Sequence, residues 1–296
     1  MPHSKQETAK SSISVETGGE TLAEATKQDL SIIPEEIAKF ASSATKWWDT
    51  KGPYAVLHRM QPVRSEFVRR VLETENPNRH PESLPLYKMR ILDVGCGGGL
   101  LSESLAKLGA TVLGVDATGE NIKVATHHAK QGGLHVSQLS PRSDDVDQTD
   151  IKCGSVEYRN ITAESLLDEG QEFDAVVSLE VIEHVADAKA FAQTLASLVK
   201  KSGIVIMSTM NRTIPSWFLS IVCAEFILGW IEKGTHHYHM YVTPEEMESY
   251  LASAGCDKVR VSGMAYNLFN NTWYLLNKDW KINRMMNYIM AVRKSV

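Results

Sequence analysis

The apolar positions of the chain change their period repeatedly from residue 90 onward. Short apolar runs of strand length alternate with longer segments in which apolar residues recur every three or four positions, one of these helical segments at 187–200. Such alternation predicts an α/β fold with an open, mostly parallel sheet and helices on both faces. Seven strands are predicted, at residues 90–94, 111–115, 156–159, 173–178, 203–209, 257–262 and 286–292.

A helix predicted at 244–254 carries clear signals at both ends. Thr243 suits the N-cap and Pro244 the first turn. Glu246 stands where a capping box requires an acidic residue. Gly255 then ends the helix.

Two further helices are predicted within 34–73, ahead of the first strand. Pro34 suits a first helical turn. The second helix is expected through 60–73. We expect the first helix to pack on the main domain rather than to bind a partner, and residues 33–296 to form one domain. The apolar face of the first helix consists of Ile37, Phe40, Ala44, Trp47 and Trp48.

Two polar segments are expected to lie outside the packed core. Residues 1–32 are rich in Ser, Thr, Glu, Lys and Gly, and we expect them to be disordered. They lack the apolar core of a secretory signal, and their glutamates without arginine are unlike an organellar transit peptide. The segment at about 131–155 is polar and turn-rich, which predicts a surface insertion.

A long hydrophobic segment follows the fifth strand, within a predicted lid at about 212–240. Its core, Ile214 to Ile231, is almost long enough to span a bilayer, but Glu225 at its centre opposes spanning. We expect a lid that contacts a membrane or shelters an apolar substrate, and the alternative is a buried pair of helices. Candidate interfacial anchors are Arg212, Trp217, Trp230 and Lys233.

The composition excludes several classes of protein. The 296 residues are 43% hydrophobic and 23% charged, as in a globular protein with a sizeable core. The net charge of -5 makes nonspecific nucleic-acid binding an unsuitable role. The 4 cysteines are widely separated, so neither a disulfide framework nor a zinc knuckle is expected.

A glycine-rich segment, DVGCGGGL, follows the first predicted strand, where an open parallel sheet binds its ligand. A dinucleotide loop has the spacing G-x-G-x-x-G. Counted from Gly95 and Gly97, that spacing requires a third glycine where Leu100 stands. The glycines instead continue at Gly99, and this spacing suits a nucleoside linked to an amino acid, without a pyrophosphate. A tight turn without a ligand is the alternative.

Two aspartates strengthen the prediction of a ligand site. Asp93 ends the first strand, and Asp116 follows the second strand, where a carboxylate can accept hydrogen bonds from both ribose hydroxyls. The glycine spacing and these carboxylates together predict S-adenosylmethionine as a methyl donor.

The fourth strand ends in SLEVIEHV, which must also face the cofactor cleft. If the chain turns helical after Leu179, then Glu180, Glu183 and His184 share one helical face. Two carboxylates and an imidazole suit a divalent metal ion with open positions, which could hold a catecholate. The alternative is that the three residues cap the helix and order the loop. His236, His237 and His239 are expected to act as a hinge or substrate contact rather than a metal site.

These motifs, in this order, resemble the class I methyltransferase family over residues 90–292. The flanking segments indicate one family within this class. The glycine loop is preceded by FASSATKWWDTKGPYAVLHRMQPVRSEFV. A later hydrophobic stretch begins after NRTIPSW and ends in GTHHY. From about residue 37 to the C terminus, the chain resembles the ubiquinone biosynthesis O-methyltransferase family.

The resemblance implies a set of site residues. Arg64 would bind the methionine carboxylate of the donor, and residues 159–166 would face its adenine. The remaining donor contacts would be Gly95, Gly97, Asp116 and Leu179. Magnesium, or a similar divalent cation, would bind at Glu180, Glu183 and His184. Glu180 and His184 are also the candidate catalytic residues.

The resemblance also implies a substrate and a location. The substrate would be a polyprenylated catechol or quinol, methylated at both the dihydroxy-polyprenylbenzoate and the demethylubiquinol steps. The membrane surface would contact residues 214–231, on the matrix side of the mitochondrial inner membrane in a eukaryote or the cytoplasmic face of the inner membrane in a bacterium. Other ubiquinone-biosynthesis proteins are expected partners. Alternatives are a methyltransferase for a small soluble catechol, a noncatalytic donor-binding subunit and, least supported, a nicotinamide reductase.

Overall fold

A computed structural model describes residues 32–75, 84–136, 154–218, 220, 237–267, 269–276 and 284–295. The helices are α1 Pro34–Ser43, α2 Ala55–Glu75, α3 Leu100–Lys107, α4 Gly119–Gln131, α5 Ala163–Asp168, α6 Ala188–Leu198, α7 Ile214–Trp217 and α8 Pro244–Ala252. The strands are β1 Arg90–Val94, β2 Thr111–Val115, β3 His135–Val136, β4 Ser155–Arg159, β5 Phe173–Leu179, β6 Val199–Met210, β7 Cys256–Asn267, β8 Thr272–Leu276 and β9 Asn287–Lys294.

The strands form one 9-stranded sheet in the order β3-β4-β2-β1-β5-β6-β9-β7-β8. β3, β4, β2, β1, β5 and β6 are parallel neighbours, whereas β9 is antiparallel to β6 and β7, and β8 is antiparallel to β7. The α/β class and the seven predicted strands are confirmed. β3 and β8 are additional, because a two-residue strand and a short edge strand leave no clear hydrophobic period in the sequence.

The two faces of the sheet bury two separate hydrophobic cores. Alternate residues of a strand point to opposite faces. Ile91 accordingly packs in one cluster with Phe67 of α2 and Leu105 of α3, whereas Leu92 packs in the other with Phe191 of α6. β1 is therefore covered on both sides, which explains its nearly continuous apolar sequence.

Several element boundaries differ from the predicted ones, most clearly those of α2 and α6. α2 begins at Ala55, before the predicted start at residue 60, and it includes Pro62. α6 ends at Leu198, and β6 begins directly at the β-branched Val199, so the predicted helix 187–200 is too long. Most of the predicted insertion and of the N-terminal tail, and residues 221–236 of the lid, lie outside the described residues.

The N terminus of α8 has the predicted capping box. The Thr243 hydroxyl accepts a hydrogen bond from the Glu246 amide at 3.2 Å, and the Glu246 carboxylate accepts one from the Thr243 amide at 2.9 Å. Glu246 also pairs with Arg212, which follows β6. The cap therefore connects α8 to the segment that leads out of the sheet.

We expect Thr243→Ala to lower the free energy of unfolding by about 1 kcal/mol, because an amide of the first turn loses its acceptor. Urea unfolding followed by circular dichroism measures the change. Thr243→Ser keeps the hydroxyl and is the matched control. Equal losses in the two variants would contradict a capping role for the hydroxyl.

Candidate active site

A cavity of about 670 Å³ lies at the carboxyl ends of β1, β2 and β5. The strand order reverses here, since β1 lies between β2 and β5 and the chain proceeds outward in both directions. Open α/β sheets bind their ligands at such a point. Helices α1 and α2 form one wall, and β7 and β8 supply Met264 and Trp273 on another. The walls are mostly apolar.

The glycine-rich loop forms the floor of the cavity, between β1 and α3. Gly95, Gly97 and Gly99 all have left-handed backbone conformations, with φ of 72°, 54° and 85°. The amides of Gly95 and Cys96 donate to the Val115 carbonyl at 2.8 and 3.0 Å. These bonds fasten the loop to the end of β2.

Gly97 must also be glycine because there is no space for a side chain at this position. A Cβ atom there would lie 2.3 Å from Cζ2 of Trp47, and one on Gly98 would lie 2.6 Å from Trp47. The indole therefore lies directly against the loop backbone. Its Nε1 donates to Asn121 of α4 at 2.8 Å.

Asp116 links the loop to α4. Its carboxylate accepts hydrogen bonds from the amides of Gly97 and Thr118 at 2.9 and 2.8 Å, and from the Asn121 side chain at 3.2 Å. Burial raises the pKa of Asp116, and these donors counteract that rise. The structure therefore places Asp116 in the cavity wall beside Gly97.

Arg64 of α2 is a buried cation that faces the cavity. Its side chain is only 4% exposed, and burial lowers its pKa. Nη2 donates to Gln61 at 2.9 Å, but Nε is buried without a hydrogen-bond partner. Within the part of the chain that is described, no carboxylate lies within 4.0 Å of the guanidinium. The charge of Arg64 is thus left for a ligand to satisfy.

The tryptophan pair after α1 has a role that the sequence analysis did not identify. Trp47 stacks on Tyr54 with ring centroids 3.9 Å apart, and Trp48 stacks on His128 of α4 at 3.3 Å. Trp48 Nε1 also donates to the Gly98 carbonyl at 3.0 Å. The predicted packing of this segment on the domain is confirmed. The segment packs against the glycine loop, and helical periodicity alone does not reveal this packing partner.

The corner after β5 corrects a prediction. Glu180 has a left-handed φ of 58°, and a short 3₁₀ helix follows at Ile182–His184. No α-helix begins after Leu179, so the prediction that Glu180, Glu183 and His184 share one helical face is wrong. The left-handed residue turns the chain at this corner, and Glu180, Glu183 and His184 all line the cavity.

The two carboxylates of this corner are held separately. Glu180 accepts hydrogen bonds from the Ser208 hydroxyl at 2.6 Å and from Asn287 at 3.3 Å. Glu183 is buried and accepts one from the Thr209 hydroxyl at 2.9 Å. Burial, followed by the nearby charge of Glu180, raises the pKa of Glu183 to about 7.

His184 has a partner from the opposite end of the sequence. Its Nδ1 lies 2.8 Å from Oε2 of Glu36, on α1, and this hydrogen bond is the main cause that lowers the pKa of Glu36. Both side chains line the cavity. The sequence analysis missed Glu36, because the two residues are 148 positions apart and no local motif joins them.

The structure does not arrange Glu180, Glu183 and His184 as a three-ligand metal site. Within the described ranges, no group of three or more His, Cys, Asp or Glu side chains is arranged to hold a metal ion. Glu180, Glu183 and His184 each bond to a different protein group, Ser208, Thr209 and Glu36 respectively. The excess negative charge of the two glutamates is the one feature that would favour a cation.

The predicted lid is described only at its ends. Ile214, Trp217 and Phe218 are exposed at the start of the segment. Trp230 and Lys233 lie outside the described residues, as does His236. His237 and His239 have ring centroids 5.8 Å apart. None of the helices that the structure describes is long and apolar enough to cross a membrane.

Comparisons with known proteins agree with this geometry. Residues 56–261 match a family model described as a methyltransferase domain. The chain is 41% identical over 258 residues to the mitochondrial ubiquinone biosynthesis O-methyltransferase of Arabidopsis thaliana, an alignment that covers 87% of this chain and 74% of the relative. It is 41% identical over 242 residues to the ubiquinone biosynthesis O-methyltransferase of Azorhizobium caulinodans, covering 82% and 88% of the two chains.

Solved structures show the same fold at much lower identity. The magnesium protoporphyrin IX methyltransferase of Synechocystis, with bound S-adenosylhomocysteine, has a TM-score of 0.51 at 19% identity, covering 79% of this chain and 83% of that one. A possible histamine N-methyltransferase of Thermotoga maritima has a TM-score of 0.53 at 12% identity, covering 88% and 99%. The predicted class I methyltransferase fold is confirmed. These comparisons give no support to the nicotinamide reductase alternative. The chain belongs to the ubiquinone biosynthesis O-methyltransferases, a family of enzymes that use S-adenosylmethionine.

Proposed function

We propose that the enzyme methylates catechol hydroxyls of polyprenylated ubiquinone precursors, at both the dihydroxy-polyprenylbenzoate and the demethylubiquinol steps. The observation that supports the donor site is Arg64, a buried cation whose Nε has no hydrogen-bond partner, beside the glycine loop of a mostly apolar cavity. A carboxylate is the ligand group that satisfies such a guanidinium, and two parallel bonds can form.

The contacts of the cavity wall support one orientation of the methyl donor. Arg64 would bind its methionine carboxylate, and Asp116 would accept from the ribose hydroxyls. Gly95 and Gly97 allow the backbone to approach the nucleoside closely. Leu179, at the end of β5, would contact the donor near the methyl group. Residues 161–163 line the wall beyond Asp116, where the adenine would lie.

Methyl transfer requires an ionised hydroxyl. A phenol with a pKa near ~10 is about 0.1% ionised at neutral pH, so forming the anion costs roughly 4 kcal/mol. His184 faces the cavity, and imidazole is the commonest general base. Nε2 of His184 takes the hydroxyl proton, the oxygen attacks the methyl carbon, and the carbon–sulfur bond breaks to release S-adenosylhomocysteine. Glu180, also in the cavity wall, stabilises the imidazolium.

The rest of the cavity suits an apolar tail. Side chains of α1, α2 and the β7–β8 hairpin line it, among them Ile37, Leu57, Met60, Met264 and Trp273. The exposed apolar residues at the start of the lid support contact with a membrane surface, from which a prenylated substrate would enter. We therefore propose a peripheral position on the inner membrane, matrix-side in a eukaryote, near other proteins of the pathway.

The experiment that tests the function is transfer of a labelled methyl group to matched catechols with and without a prenyl tail. We expect the prenylated catechol to have at least a tenfold higher kcat/KM, because each buried CH₂ contributes about 0.8 kcal/mol. Equal turnover would favour a small soluble catechol as the substrate. Donor binding without transfer to either compound would favour a noncatalytic subunit.

Gly97→Ala should weaken donor binding more than tenfold. The new Cβ needs a left-handed conformation that costs roughly 1–2 kcal/mol, and it also displaces Trp47 from the loop. Gly133→Ala is the matched control, since Gly133 has a φ of 72° but no heavy atom within 4 Å of the added Cβ. Calorimetry with S-adenosylmethionine measures both affinities. Equal effects in the two variants would show that backbone strain alone is responsible.

Arg64→Met should have opposite effects on stability and binding. Removing a buried cation that has no close counter-ion should raise the free energy of unfolding of the ligand-free protein by roughly 1–2 kcal/mol. Losing the charge-assisted bonds should weaken donor affinity roughly 10–100-fold. Arg70→Met, on the exposed face of the same helix, is the control. A loss of stability in Arg64→Met would show that Arg64 serves the fold and not the ligand.

A further inference from the structure

The indole of Trp47 makes a hydrogen bond that leads into the donor site. Its Nε1 donates to Oδ1 of Asn121 at 2.8 Å, and the two residues are 74 positions apart in the sequence. Asn121 lies in the first turn of α4 and is only 2% exposed. Both side chains line the cavity. The bond therefore joins the N-terminal segment to the part of the wall that holds Asp116.

The other end of the Asn121 amide contacts the Asp116 carboxylate. Nδ2 donates to Oδ1 of Asp116 at 3.2 Å, and the Thr118 amide donates to the same oxygen at 2.8 Å. The Gly97 amide donates to Oδ2 at 2.9 Å. A carboxylate oxygen accepts about two hydrogen bonds, so the protein occupies Oδ1 and leaves acceptor capacity on Oδ2. Oδ2 is thus the oxygen that remains available to a ligand.

The partners of Asn121 permit only one orientation of its amide. An indole N–H can only donate, so the amide oxygen has to face Trp47. An ionised carboxylate can only accept, so the amide nitrogen has to face Asp116. Turning the amide over would break both bonds and leave two donors and two acceptors facing each other. Trp47 therefore determines the direction in which Asn121 donates.

Neighbouring groups hold the indole of Trp47 in place. Tyr54 stacks on it with ring centroids 3.9 Å apart and an interplanar angle of 4°. The Tyr54 hydroxyl lies 2.6 Å from that of Ser43, the last residue of α1. Trp48 donates to the Gly98 carbonyl at 3.0 Å on the other side of the backbone turn. The indole can rotate away from Asn121 only if this packing is broken.

We propose that Trp47 and Asn121 are positioning residues for the ribose of the donor, because together they hold Asp116 with Oδ2 available to the ribose hydroxyls. The inference rests on the proposed contact between Asp116 and the ribose. Trp47 precedes the matched methyltransferase domain, which begins at residue 56. The donor site is therefore completed by a segment outside that domain.

Calorimetry with S-adenosylhomocysteine and an analogue that lacks both ribose hydroxyls tests the proposal. The full-length wild type should prefer S-adenosylhomocysteine roughly 10–100-fold, because the hydroxyls bond to a charged group. Asn121→Ala should reduce this preference to about threefold, the effect of a carboxylate that is no longer held in place. Trp47→Phe keeps an aromatic ring but removes the N–H, and it should reduce the preference at least about threefold.

The preference separates positioning from a merely structural role. A structural role would weaken binding of both compounds by the same factor and leave the preference at its wild-type value, and that result would overturn the proposal. Trp47→Phe carries the test if Asn121→Ala does not fold. In the Asn121→Ala background, Trp47→Phe should reduce the preference no further, because Trp47 acts through Asn121. A further reduction there would contradict the proposed path.

Two variants are matched controls. The Asn160 side chain donates to the backbone carbonyl of Asp116 at 2.8 Å, and not to its carboxylate, so Asn160→Ala should keep the wild-type preference. Trp48→Phe removes an indole N–H that bonds to Gly98, and it should also keep the preference. A preference reduced as far in either control as in Trp47→Phe would overturn the specific role of Trp47.

The indole N–H of Trp47 gives a readout that needs no ligand. Nitrogen-15 and proton NMR, with Trp47→Phe used to assign the signal, should show its proton resonance moving upfield in Asn121→Ala and staying in place in Asn160→Ala. An unchanged resonance in Asn121→Ala would contradict the hydrogen bond on which the proposal depends.

The outcomes distinguish this inference from the proposed function. If the wild-type enzyme transferred no methyl group to a prenylated catechol, the proposed substrate would fail, and the binding preference would still decide the role of Trp47 and Asn121. Equal wild-type affinity for S-adenosylhomocysteine and the analogue would overturn both the ribose contact of Asp116 and its positioning residues.

Discussion

The backbone of the glycine loop is the constraint on which the site depends. Three left-handed glycines turn the chain sharply between β1 and α3, and the resulting amides bond to the Val115 carbonyl and to Asp116. These hydrogen bonds hold the carboxyl ends of β1 and β2 next to each other. Because Gly97 and Gly98 carry no side chains, Trp47 can lie directly against the loop backbone. The floor of the cavity follows from this turn.

The charges around the cavity are arranged for a ligand and not for the stability of the empty protein. Arg64 is buried without a close counter-ion, and burial raises the pKa of Asp93 to about 6 and that of Glu183 to about 7. Each of these groups would be more stable in water. S-adenosylmethionine carries a carboxylate, an ammonium and a sulfonium, so its binding can offset several of these costs at once. Local instability of this kind is expected at a functional site.

The sequence predicted those features that depend on local patterns. Strand periods, the Thr243 capping box and the glycine spacing each lie within a few residues, and each is present in the structure. The corner at Glu180 was missed, because a non-glycine residue in the left-handed region has no reliable sequence signal. Glu36 and His184 could not be paired, since only the packing of α1 over the sheet edge brings them together.

The N-terminal segment packs against both the glycine loop and the corner after β5. Within about a dozen residues, it contributes Glu36 to His184, Phe40 to the same imidazole, and Trp47 to the glycine loop. Trp47 contacts the glycine loop and Glu36 contacts the corner after β5, so one packed segment reaches two sides of the cavity. If the segment moved away, the loop would lose its cover and His184 its partner together. These two parts of the cavity wall are thus held by the same packing interaction.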